Sequence, residues 1–386
     1  MISLSTKEKP NRLRRWFCIC PIRHTLTVIF ALLIGAYFLF RRNEAFLTAI
    51  ANGFVHPWHK YVSQFCSLFP FSLGEAVIII GVLGIIVYII IQVVAICRKR
   101  NIFLRIYRTA ITAAMIFSIV YGGFCTLWGV YYYTADFEEQ SGIYGKAISV
   151  EELETVTRYF TAKMNEYSAL VARDETGAFA EDIEAVFDYS PKLYDAVSAA
   201  LPCLEGPAIE PKPFLFSEAL SYMTFTGFFF PFTGEANINV HCPASSIPST
   251  IAHEIAHQRG VAEEDEANFV AVLASMEDGN PIYCYSACLM AYTYLGNALY
   301  GADYDAWVDN YYSIVPEVIV DMRNSSSYWD TYRDTKVNNA SDAVYTGFLK
   351  SYGQTEGLKT YGKCIDLLVA YYYDEACQYL NEVEYT

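Results

Sequence analysis

Three runs of apolar residues, at about 25–40, Leu73–Cys97 and 109–133, decide what this chain can fold into. Inside a bilayer no water satisfies the backbone, so a spanning segment must bond its own N–H and C=O groups, as a helix of roughly 20 residues does. The second and third runs exceed that length, and the first is marginal. The first lacks a small-residue cleavage site and runs straight into Arg41 and Arg42. It therefore reads as a span rather than a signal peptide.

Charge orients these spans. Lys7, Lys9, Arg12, Arg14, Arg15 and Arg23 precede the first, and Arg98, Lys99, Arg100, Arg105 and Arg108 fill the loop between the second and third. By the positive-inside rule both segments face the cytoplasm. An odd number of crossings then puts everything after about residue 134 outside, together with the linker that carries Arg41, Arg42 and Lys60. The expected division is a basic cytoplasmic segment at 1–24, a membrane domain at 25–133 and an extracytoplasmic domain at 134–386. Residues 1–134 carry a formal charge of +11 and residues 135–386 carry −26. A domain this acidic repels nucleic acid and steers cationic substrates toward itself. Glu75, at the start of the second span, is expected to sit at the interface without a role.

The large domain reads as mainly helical with a small β element. Ser149-Val150-Glu151-Glu152 is a capping box that opens a helix to about residue 173. A second helical stretch covers 180–200, and prolines at 202, 207, 211 and 213 mark a loop. Phe225, Phe228, Phe229, Phe230 and Phe232, then Ile238 and Val240 after a Thr233-Gly234 turn, suggest short strands. The rest reads as helix, with breaks near Gly279-Asn280-Pro281 and near 324–327. Cys203, Cys242, Cys284, Cys288, Cys364 and Cys377 fall outside by this topology, an even number that permits three disulfides. Cys284 and Cys288, one helical turn apart, suit buried thiols better, and Cys18 and Cys20 read as free thiols.

Chemistry concentrates in His253-Glu254-Ile255-Ala256-His257-Gln258-Arg259-Gly260. On a helix, residues i and i+4 share a face, so His253 and His257 can bind one zinc ion while Glu254 reaches a water on it. Pro248 with Ser245, Ser246, Ser249 and Thr250 supplies a helix start, and Gly260 supplies a left-handed stop. No histidine follows His257, so the third ligand is acidic or is His241 from upstream. Glu264 is the first choice, because Asn268 shares its helix face and can orient it. Glu266 and Glu263 are the alternatives. Upstream, Glu235, Asn237 and His241 are candidates to line a substrate cleft, with turn chemistry as the plainer reading.

These residues carry a resemblance. The HExxH motif followed by Glu264-Asp265-Glu266-Ala267-Asn268 resembles the gluzincin metallopeptidases, whose second motif is commonly Glu-x-x-Ala-Asp; here asparagine replaces the aspartate. The spacing departs from the better-known gluzincins, since Glu264 lies only seven residues past His257. The chain is also similar to a bacterial family of membrane-anchored proteins classed as a domain of unknown function. That family combines amino-terminal spans with Thr-Gly, Pro-Phe and Glu-Ala-Asn elements, His-Glu-x-x-His-Gln-x-Gly and a later Glu-Ala-Asn. Here these are Thr226-Gly227, Pro231-Phe232, Glu235-Ala236-Asn237, the motif, and Glu266-Ala267-Asn268. The resemblance implies a zincin-like domain, Zn2+ as cofactor and a peptide or protein substrate.

The expected function is thus a membrane-anchored zinc metallopeptidase with Glu254 as general base. The alternatives are a zinc hydrolase of non-peptide amide or cell-wall substrates, and a non-catalytic membrane-tethered sensor. The sequence sets neither the substrate nor the oligomeric state.

Overall fold

A computed structural model describes residues 19–98, 101–352 and 362–384. Lys7, Lys9, Arg12, Arg14, Arg15, Cys18, Lys99 and Arg100 lie outside the described residues. The protein is mainly helical with one small three-stranded sheet.

Among the described residues three helices are long and apolar enough to cross a membrane: Pro21–Phe40, Leu73–Cys97 and Ile102–Gly129. The first begins earlier than its apolar run, at Pro21, whose fixed φ and missing N–H suit a first helical turn. The third begins at Ile102 because Arg105 and Arg108 join the helix rather than the loop. Their long stems can lie along an apolar surface while the charged ends reach polar groups. Its last turn, Cys125–Gly129, widens into a π-helix. The first and third helices lie together. A Cβ added at Gly122 would touch Phe30 at 3.2 Å, and Arg23 donates to Thr112 at 2.8 Å.

The linker after the first span is itself helical, as Glu44–Ile50, a π turn Ala51–Val55 and His56–Cys66. It packs on the large domain. Trp58 Nε1 donates to the Phe232 carbonyl at 3.3 Å, and His59 Nε2 to the Pro231 carbonyl at 3.1 Å. Linker and domain therefore share one side of any bilayer that the three helices cross.

Within the domain, helices Val150–Ser168, Glu264–Asp278, Pro281–Ala302 and Gly362–Glu384 enclose the main core. Tyr159, Phe160, Phe269, Tyr283, Tyr285 and Tyr372 are fully buried there. Each such ring contributes on the order of 1.5–3 kcal/mol by leaving water. The Ser149–Glu152 capping box forms. Its helix stops at Ser168, short of 173, and Arg173 leaves to pair with buried Asp321 at 2.6 Å. The stretch 180–200 divides into Ile183–Tyr189 and Asp195–Ala200, because Pro191 cannot donate to a continuous helix. No break occurs at 324–327. Helix Pro316–Asp330 runs through those serines, anchored by Val318 and Asp321, and the chain turns at Asp334, φ 59°.

The sheet has the order β1 (Lys212–Pro213), β3 (Glu235–Ile238), β2 (Gly227–Phe230). Strands β2 and β3 form a hairpin with Gly227 opposite Ile238 and Phe230 opposite Glu235. Gly234 closes it at φ +67°. Strand β1 pairs with β3 in parallel. The hairpin tip is wedged against the tops of the spans. A Cβ at Gly74 would lie 2.7 Å from Phe230, and one at Gly123 2.5 Å from Phe232. Glycine at both positions is what makes room for the rings.

Two carboxylates fasten this contact. Glu235 accepts from Leu73 N at 3.1 Å and Gly74 N at 2.7 Å, capping the second span from the sheet. Glu75 accepts from Leu215 N at 2.9 Å and Phe216 N at 3.0 Å. Glu75 is thus not idle at the interface; it is buried and engaged with the domain. Cys203, Cys242, Cys284, Cys288, Cys364 and Cys377 are free thiols, and no disulfide forms among the described residues.

Candidate metal centre

The motif helix, Ile247–Gln258, starts with Pro248 in its first turn and buries Ile251, Ala252, Ile255 and Ala256 completely or nearly so. That apolar side fixes its rotation and turns His253 and His257 to the other side, ring centroids 4.6 Å apart. Gly260, at φ +96°, ends it. A Cβ there would meet His56 at 3.0 Å, so both conformation and space call for glycine. The chain then reverses into helix Glu264–Asp278.

This reversal brings Glu264 to the histidines. Its Oε2 lies 3.3 Å from His253 Nε2 and 3.6 Å from His257 Nε2. All three ligand atoms fall within 4.8 Å of one another, a spacing that a central ion about 2.0–2.2 Å from each would satisfy. His257 Nδ1 lies 2.7 Å from the Val261 carbonyl. The Nδ1–H donates there, so Nε2 is the nitrogen that faces Glu264 and can carry either a proton or a metal ion. Trp128, from the π turn of the third span, stands edge-on to His257 at 5.5 Å.

The charges are interdependent. Burial pushes the Glu264 carboxyl up, but His257 and His253 outweigh it and hold it well below the usual carboxylate range. Burial pulls His257 down, yet Glu264 prevails and raises it to about 9. Without metal, the carboxylate therefore keeps a proton on the imidazole, and a bound cation would take that proton's place. Burial raises Glu254 to about 7 against the opposing pull of the two histidines. Glu254 Oε2 is buried without a hydrogen-bond partner. Its carboxyl rests against Gly227 of β2, where a Cβ would come within 2.8 Å of Glu254 Cγ and Oε1.

The alternative carboxylates are occupied elsewhere. Lys363 Nζ lies 2.9 Å from both Glu263 and Glu266, 3.1 Å from Glu138 and 3.3 Å from Asp136. Glu266 also accepts from Phe137 N at 3.0 Å. Asp136, Glu138 and Glu266 are close enough together to hold an ion, but the Lys363 ammonium already serves them. Asn268 lines a cavity beside Glu264. The hydrogen bond that orients Glu264 comes instead from Tyr345, whose hydroxyl donates to Oε1 at 2.5 Å. Tyr345 lies on helix Lys336–Ser351, far along the chain and outside any motif, so no local signal marked it. Tyr345→Phe is expected to lower zinc affinity roughly 10- to 100-fold, read by chelator competition. Unchanged affinity would show that Glu264 is held by the backbone alone.

None of the upstream candidates joins the cluster through its side chain. Glu235 caps the second span. Asn237 is buried and donates to the Glu235 carbonyl at 3.1 Å and the Phe228 carbonyl at 3.4 Å. His241 is exposed, with Nδ1 2.9 Å from the Tyr328 hydroxyl. Strand β2, however, is an edge of the sheet and runs past Glu254. A cavity of about 660 Å³ opens on the other side, reaching His253, Glu264 and Tyr345. Ser249, Thr250, Thr293, Leu289 and Met290 give it a hydroxyl and apolar lining.

The family described as "Protein of unknown function (DUF3810)" matches residues 51–369, from the linker helix to the last helix. No curated protein and no solved structure matches the chain.

Proposed function

The chain belongs to the DUF3810 family, and we propose that this member is a membrane-anchored zinc metallopeptidase acting on peptides or proteins outside the cytoplasm. One observation carries the reading: His253, His257 and Glu264 converge with no fourth histidine, cysteine or carboxylate among the described residues, while Glu254 waits unpaired beside them. Structural zinc sites are usually closed by four protein ligands, whereas hydrolytic sites use three and keep one position open. A base with no ligand duty has a purpose only in the second kind.

His253, His257 and Glu264 would hold the ion. When bound, zinc makes water acidic near neutral pH and polarises a carbonyl. Glu254 then removes the proton of the attacking water and passes it to the leaving amine. Its dry surroundings raise its basicity, which suits a proton acceptor. Strand β2 can receive a substrate backbone on its unpaired edge, as peptides add to exposed strands elsewhere. The neighbouring cavity takes a substrate group next to Glu264. Zn2+ fits the donor set of two imidazoles and one carboxylate.

Arg23, Arg98, Arg105 and Arg108 support cytoplasmic placement of the other side of the membrane part. The test is metal analysis of the full chain in detergent or lipid, beside His257→Ala. About one zinc per wild-type chain, and nearly none in the variant at the same free zinc, is expected. A wild-type chain that takes up no metal would remove the basis of the proposal.

A further inference from the structure

Arg259 follows the motif helix and is only 7% exposed. A guanidinium cannot shed its proton in a protein, so a buried one needs an anion or a full set of acceptors. Among the described residues Arg259 has neither. Its side chain forms no ion pair within 4 Å, donates no hydrogen bond to a described residue, and leaves Nε buried without a partner. Its Cζ lies 5.4 Å from the centroid of the Tyr194 ring. Such a contact lessens the cost of burying the cation without neutralising it.

The side chain borders a cavity of about 800 Å³ whose wall includes His59, Lys60, Ser198, Gly206 and Gln258. Gly206 fits closely at the charged end. A Cβ added there would lie within 3.0 Å of Arg259 Nη1 and Cδ. Asp195 and Glu205 also line this cavity, yet neither reaches ion-pair distance of Arg259. One wall is the linker helix His56–Cys66, which joins the first span to the second and so lies where a bilayer's headgroups would be.

We propose that Arg259 anchors a phosphate-binding site between the linker helix and the domain. The planar guanidinium fork matches phosphate oxygens two at a time, and Lys60 on the same wall adds a second positive charge. The phosphate comes either from a lipid headgroup or from a soluble phosphate. This site is separate from the metal cluster and does not depend on the peptidase reading.

The test uses the full chain in detergent with two probes. Inorganic phosphate is titrated by calorimetry, and phosphatidylglycerol by native mass spectrometry. Arg259→Gln should weaken whichever probe binds by roughly 10- to 100-fold, the worth of a charged hydrogen-bonded pair. Gly206→Ala, which keeps the charge but crowds the guanidinium, should weaken it as well, with the unfolding midpoint of each variant serving as the folding control. Binding of phosphate alone identifies a soluble ligand, and binding of the lipid alone identifies a headgroup. Failure of both probes to bind wild type, or equal binding by folded Arg259→Gln, overturns the proposal.

Discussion

Glu254→Gln is expected to abolish hydrolysis while leaving zinc in place. The substitution keeps the shape of the side chain and removes only its charge and basicity. Glu254 ligates nothing in the cluster, and its Oε2 has no hydrogen-bond partner to lose. The fold should therefore tolerate the change, and stability should hold or rise, because a neutral amide is cheaper to bury than a carboxylate. The proton transfer has no substitute, so kcat should fall by about 10²–10⁴-fold. Turnover of a fluorogenic protein substrate, measured with zinc content on the same samples, decides it. Activity within a few-fold of wild type would rule out Glu254 as the base.

Gly227→Ala tests the strand over the site. The new Cβ would lie 2.8 Å from Glu254 Cγ and Oε1 and 3.0 Å from the Asn237 carbonyl. Real atoms do not approach so closely, so either Glu254 swings aside or β2 lifts from β3. Both outcomes misplace the base, and a displacement on the order of 1 Å can cost about 10²-fold in rate. Overpacking of this kind also costs about 1–3 kcal/mol of stability. Zinc should remain bound, since Gly227 does not touch the ligands. Gly301→Ala is the control, as nothing lies within 4 Å of its Cβ position. Loss of activity shared equally by both variants, or retained by Gly227→Ala, would contradict the placement of Glu254 beneath β2.

What could be read from the sequence was local in origin. The i, i+4 histidines, the left-handed glycine and the return of Glu264 all lie within a dozen residues, and each follows from helix geometry. The three long apolar helices were legible because length and hydropathy suffice to mark them. Contacts across long stretches of chain were not. Tyr345 reaches Glu264 from a helix with no distinguishing pattern. Strand β1 is two residues long and exists only because β3 is there to pair with it. The sequence places Glu75 at the interface without a role and Glu235 in a candidate cleft or a turn, and their contacts emerge only where the sheet meets the second apolar helix. The serines at 324–327 suggested a break by propensity, but Asp321, tied to Arg173 and Tyr285, holds that helix in place.

The crossed attachment of Glu75 and Glu235 has a practical consequence. A fragment that begins after the third span would lose Leu73, Gly74 and Glu75 together with His59, Trp58 and Trp128. Glu235 would lose both backbone donors, and Phe230 and Phe232 would lose the glycines they pack against. Such a fragment is a different molecule from the one that carries the cluster. The choice of detergent or lipid is accordingly a chemical variable of the same rank as pH or free metal. A change of solvent around the spans is a change in the scaffold of His257 and Glu254.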